Sequence, residues 1–81
     1  MQIRDTNTAE LRKVFCNQCG REMRVENGWI REGHFFGENS FGYFSHKDGQ
    51  RHRFDLCEDC YDALNRQFLI PSEIGENEEL L

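Results

Sequence analysis

Cys16-Asn17-Gln18-Cys19-Gly20 and Cys57-Glu58-Asp59-Cys60-Tyr61 together use all four cysteines of the chain. A Cys-x-x-Cys turn aims two thiolates at one cation, and two such turns complete the four-sulfur tetrahedron that Zn²⁺ prefers. Cys16, Cys19, Cys57 and Cys60 are therefore the candidate metal ligands, predicted to hold one structural zinc ion. Four sulfurs close the coordination shell and leave no position at which water could be activated. The 37 residues between the pairs exceed the spacer of the most compact zinc modules. That spacer must carry structure of its own.

The two pairs differ in the residue after the second cysteine. In the first pair it is Gly20, at a place where a zinc knuckle turns its backbone N–H groups toward sulfur and often needs φ > 0. Cys57-Glu58-Asp59-Cys60 has no such glycine and opens a helical pattern instead. Glu58, Asp59 and Asp62 are early and Arg66 is late, as the helix macrodipole favours. Cys60, Leu64 and Phe68 recur every fourth residue, with Tyr61 beside them, and Pro71 is expected to stop the helix. The dipole and free N–H groups of a helix start also lower a thiol's pKa.

Between the pairs, Asn27-Gly28 separates Met23-Arg24-Val25-Glu26 from Trp29-Ile30-Arg31-Glu32, the strongest short-range signal for a β-hairpin with a type I′ turn. A second hairpin is expected from Gly42–Ser45 and Arg51–Leu56 around Asp48-Gly49, with Phe54 and Leu56 alternating toward Cys57. Gly37-Glu38-Asn39-Ser40 reads as a loop. Residues 1–12 lack periodicity and are expected to be a flexible N-terminal segment. Residues 13–70 are expected to form the four-cysteine zinc-binding domain and residues 71–81 an acidic C-terminal tail. The predicted fold class is a small, metal-stabilised α+β domain: zinc knuckle, two β-hairpins and a C-terminal helix.

Size and composition agree with metal stabilisation. A chain of 81 residues with 37% hydrophobic content is near the limit at which a core alone suffices. Structural zinc can supply roughly 10–16 kcal/mol of apparent binding free energy to small modules. The polar start MQIRDTNTAELRK has no apolar core like that of a secretory signal. No stretch approaches the roughly 20 apolar residues that span a membrane. A cytoplasmic location is expected, where thiols stay reduced and bind metal rather than pair as disulfides.

The formal net charge of −5 is unevenly placed. Glu73, Glu76, Glu78 and Glu79 lie in the tail, whereas residues 12–53 hold eight Lys or Arg against five acids. The overall balance disfavours non-specific nucleic-acid binding, which depends on neutralising phosphates. A local basic face from Arg21, Arg24, Arg31, Arg51 and Arg53 is the alternative. Against it stands a solvated sheet face with Glu22, Glu26 and Glu32 interleaved.

The order of knuckle, hairpins and a helix whose first turn supplies two ligands resembles the treble-clef zinc finger over residues 14–69. That resemblance implies zinc on all four cysteines; the departure is room for two hairpins where a minimal treble clef has one. Phe41–Ser45, Lys47-Asp48-Gly49, Phe54–Asp62 and Ile70-Pro71 also look like a group of small, uncharacterised bacterial Cys-x-x-Cys proteins. This second likeness implies a cytoplasmic zinc protein and supplies no activity.

Iron in a rubredoxin-like site would use the same sulfurs, but rubredoxins resemble a pair of glycine-followed knuckles, and the second is replaced here by a helix start. Thioredoxin-like redox use needs a βαβ context that is lacking. His34, His46 and His52 form no recognised catalytic spacing and read as surface or strand residues. The aromatic residues Trp29, Phe35, Phe36, Phe41, Tyr43, Phe44 and Phe54 are expected mainly in the core. Phe35-Phe36 and Tyr43-Phe44 are adjacent pairs, though, and neighbours on a strand face opposite ways. At least one of each could mark a partner site. The reading is a non-enzymatic zinc-binding module that engages a protein partner; the alternative is a nucleic-acid-binding regulator.

Overall fold

Leu11-Arg12-Lys13-Val14-Phe15 forms the central strand of a three-stranded antiparallel sheet, with its inward Leu11 and Val14 buried. The computed structural model describes residues 1–76 of the chain. On one side of this strand (β2, Leu11–Phe15) lies β1 (Gln2–Arg4), and on the other β3 (Glu22–Met23). The segment 1–12, read from the sequence as a flexible lead-in, thus contains strand β1 and the start of β2. Gln2 pairs with Val14 and Ile3 with Lys13, with a register shift before Arg4. The intervening Asp5-Thr6-Asn7-Thr8 folds as a turn, because Asp5 Oδ1 accepts the Asn7 and Thr8 N–H groups at 2.8 and 3.1 Å. Arg12 donates to Asp5 Oδ2 at 2.8 Å and, with the two N–H donors, holds that half-buried carboxyl down to about 2.

The Asn27-Gly28 hairpin forms as expected. β4 (Val25–Glu26) pairs with β5 (Trp29–Ile30), and both turn residues have positive φ, 53° and 80°. The second hairpin forms on a different first strand. β6 (His34–Ser40) pairs along its whole length with β7 (Arg51–Cys57), from His34 opposite Cys57 to Ser40 opposite Arg51. Gly37–Ser40 is therefore strand rather than loop, and residues 41–50 form the connection. Phe41 N–H donates to the Gln50 carbonyl at 2.9 Å, which closes the loop one step beyond the ladder.

The helix α1 (Glu58–Arg66) starts where expected, with Cys57 as its N-cap residue. It ends earlier than Pro71 suggested, because the Gln67 N–H turns back to the Leu64 carbonyl at 3.0 Å and the Phe68 N–H to the Asn65 carbonyl at 3.2 Å. Phe68 consequently leaves the helical stripe and lies half-exposed.

The core consists of Leu11, Val14, Cys16, Met23, Leu56 and Cys57, with Val25, Ile30, Cys60, Tyr61 and Leu64 packed against it. Two of its six buried members are cysteines. This corrects the expectation of an aromatic core. Trp29, Phe35, Phe36, Tyr43, Phe44 and Phe54 are all exposed to a substantial degree. Aliphatic strands, the knuckle and the helix already enclose the small interior.

Candidate metal centre

Cys16 directly succeeds β2, and its N–H donates to the Arg21 carbonyl at 2.9 Å while its own carbonyl accepts the Gly20 N–H at 2.9 Å. These two bonds close the knuckle, and Gly20 takes φ 80°, the left-handed value its position required. Across from it, Cys57 ends β7 and starts α1, so Cys60 sits in the first helical turn. The four sulfurs converge. All of them lie within 4.8 Å of one another, and Cys19 Sγ is 3.9 Å from Cys57 Sγ. In a tetrahedral zinc–thiolate site with bonds near 2.3 Å the sulfurs stand about 3.8 Å apart. The sulfur set therefore fits one tetrahedral cation after small side-chain adjustments. Cys16 and Cys57 are buried, Cys60 is half-buried and Cys19 exposed.

The electrostatics around the sulfurs favour thiolate at Cys16. Burial pushes the Cys16 thiol up, but the N–H groups of Cys19, Cys57 and Gln18 outweigh it and bring the value to about 6. Burial pushes Cys60 up, and the neighbouring sulfurs of Cys57, Cys16 and Cys19 add to the effect, so that it reaches about 12. Four thiols this close cannot all ionise without a cation among them. Outside the sulfurs, Arg21 is held in its charged form chiefly by its ion pair with Glu32, with a smaller contribution from Cys57. Glu32 also accepts the Arg24 N–H at 2.6 Å.

A second polar cluster fixes the two halves of the site relative to each other. Asn17, inside the knuckle, donates its N–H to the Asp55 carbonyl at 2.8 Å, and its Oδ1 accepts the Asp55 N–H at 2.9 Å. These bonds pin β7 to the knuckle two residues before Cys57. Asp55 is buried, at 2% exposure. Its Oδ2 accepts from the Met1 ammonium at 2.8 Å; its Oδ1 accepts from Gln2 Nε2 at 3.0 Å and sits 2.9 Å from His34 Nε2. Burial alone would raise the Asp55 carboxyl, but these donors hold it below the usual carboxylate range. The Met1 ammonium also donates to the Phe15 carbonyl at 2.8 Å and to Asn17 Oδ1 at 2.7 Å.

No family model, curated protein or solved structure matches this chain. Geometry and donor chemistry alone describe the site. They bring together all four cysteines and none of the histidines. His34 serves Asp55, while His52 bonds the Gln50 amide oxygen at 2.9 Å and lies edge-on to Phe41. Sequence reasoning missed Asn17, Asp55 and the Met1 amino group as parts of this centre. No local signal marked Asp55, which sits at the polar position between Phe54 and Leu56. The basic residues do not form an open field. Arg21 pairs with Glu32, Arg24 and Arg31 lie within 4.0 Å of Glu26, and Arg51 meets Glu38 at 3.1 Å. No helix among the described residues is long and apolar enough to cross a membrane.

Proposed function

We propose that this chain is a non-enzymatic zinc-binding module of treble-clef type whose metal holds a rigid platform for a protein partner. The observation that carries the reading is the surface of the β6–β7 hairpin. Tyr43 and Phe44 in its loop are 83% and 98% exposed, and their rings meet edge to face at 5.1 Å. The loop backbone is tied by Ser45 N–H to the Gly42 carbonyl and Gly49 N–H to the Phe41 carbonyl. Lys47 Nζ stands 4.8 Å over the Phe41 ring. Two aromatic rings on a tied loop offer large contact area at low ordering cost, as interface anchors do.

Zinc is the favoured metal because four thiolates make a closed tetrahedral site and the second pair begins a helix rather than a second glycine knuckle. The nucleic-acid reading draws less support, since four of the five arginines proposed for it have carboxylate neighbours.

The test is affinity capture from bacterial lysate with the full chain and with a Tyr43→Ala/Phe44→Ala variant, each before and after nuclease treatment. A stoichiometric protein retained by the first and lost by the second supports the reading. The same retained set for both chains, or nucleic acid as the main companion before nuclease, overturns it. Elemental analysis should find one zinc per chain, and a red protein would mean iron.

A further inference from the structure

A cleft of about 440 Å³ lies between β1 and one face of the β6–β7 hairpin, lined by Arg4, Asn17, Phe36, Arg53 and Asp55 together with the first two residues. Phe36 stands opposite Asp55 in the ladder and Arg53 opposite Glu38, so these side chains share one face of the hairpin. The charges in this cleft do not cancel. Both carboxylate oxygens of Asp55 are taken by the Met1 ammonium, Gln2 and His34. Glu38, the cross-strand neighbour of Arg53, gives its carboxylate to Arg51 at 3.1 Å. Arg53 thus has no carboxylate partner among the described residues. Arg4 bonds only neutral oxygens, the Ala9 carbonyl at 3.1 Å and Gln2 Oε1 at 3.0 Å, while the nearby Asp5 is committed to Arg12.

Two arginines without a carboxylate partner among the described residues therefore line one concavity of a chain whose net charge is −5. A half-exposed phenyl ring, Phe36, forms its apolar wall. Guanidinium groups match carboxylate and phosphate oxygens in planar, paired fashion, and a concave wall concentrates their field. The volume is within the range of small-molecule sites.

We infer that this cleft binds a small anion carried on a planar ring, with the anionic group on Arg53 and Arg4 and the ring against Phe36. A ring phosphate and a ring carboxylate share this chemistry. The site uses none of the four cysteines and none of the loop aromatics, so it goes beyond the interaction reading.

The experiment titrates the full-length, zinc-loaded protein with adenosine monophosphate and, separately, with benzoate, while following backbone amides by NMR. Uncharged adenosine serves as the control. Saturable shifts confined to the amides of Arg4, Asn17, Phe36 and Arg53 are expected for one or both anions, weakening with added salt. Whichever anion saturates first tells phosphate from carboxylate. Arg53→Ala should weaken binding about ten-fold, the loss expected for one charge-assisted hydrogen bond. Phe36→Ala should narrow the gap between the ring-bearing anion and inorganic phosphate. The exposure of Arg53 leaves the fold intact in that variant, which its dispersed amide spectrum will verify. No saturable shift up to about 10 mM of either anion, well above the millimolar Kd of even weak binding, would overturn the inference. So would shifts centred elsewhere, equal binding of adenosine, or affinity unchanged by Arg53→Ala.

Discussion

The two ends of the β6–β7 hairpin show how unevenly this small fold is secured. At one end, Asp55, Leu56 and Cys57 are successive buried residues, fixed by Asn17, by the Met1 ammonium and by the sulfur set. At the other, Tyr43 and Phe44 project into solvent from a loop held by a few backbone bonds. The buried apolar residues of the first end are Leu56 and Cys57, whereas the aromatic rings at the second, Tyr43 and Phe44, are almost fully exposed. A domain of this size ordinarily needs its aromatic residues for the interior. Here two cysteines fill core positions, and a bound cation can replace area burial as the source of stability. That substitution frees the aromatics for the surface.

The comparison is broken most severely at the sulfur end. Cys57→Ser should remove a buried ligand and leave the chain without cooperative unfolding at room temperature, and prolonged chelator treatment of the wild type should do the same. Circular dichroism with metal analysis checks both; a folded, metal-free Cys57→Ser protein would contradict a structural metal. The next largest effect belongs to Asp55→Ala, which strands the Met1 ammonium, Gln2 and His34 without their shared acceptor. Its cost should be about 3 kcal/mol in denaturant unfolding, as for a buried ion pair deprived of one partner.

Acid provides a finer probe of the same group. Because the folded Asp55 carboxyl lies below its unfolded value near 4, its stabilising contribution is complete above that value. It disappears as the pH falls through the folded one. The Asp55 carboxyl carbon, followed by NMR, should therefore remain in its ionised form when exposed carboxylates are already half protonated. Titration at an ordinary value would mean that the three side-chain and terminal partners are not bound to it. The smallest effect is expected at the far end: Tyr43→Ala and Phe44→Ala should each change unfolding free energy by no more than about 0.5 kcal/mol. A loss of several kcal/mol would place those rings in the stabilising half of the molecule.

Much of this arrangement was legible because the signals were local. The Cys-x-x-Cys spacing, Gly20, the Asn27-Gly28 turn and the acidic residues after Cys57 each carry their own geometry, and the structure places each as expected. The failures concern residues whose state depends on a distant partner. Alternation of Phe54 and Leu56 put both inside and Asp55 outside. In the structure the N-terminal strand covers the opposite face, so Asp55 is buried and Phe54 is 39% exposed. Gly37–Ser40 has turn-like composition, yet pairing with Arg51–Phe54 makes it strand. Residues 1–12 lack a strong periodic pattern because β1 is short and only β2 supplies its ladder partner. The acidic run beyond residue 76 lies outside the described residues.

The ladder opposite Cys57 has a kinetic consequence. Along the chain, Cys19 and Cys57 are 38 residues apart, a loop whose closure must precede capture of one ion by both pairs. Once β6 and β7 have zipped together, His34 lies across from Cys57, and the remaining path is the much shorter one from Cys19 to His34. Shortening that path from 38 steps to 15 reduces the closure entropy by about 0.8 kcal/mol. Pairing of β6 with β7 therefore shortens the loop that a shared ion has to close between the two thiol pairs.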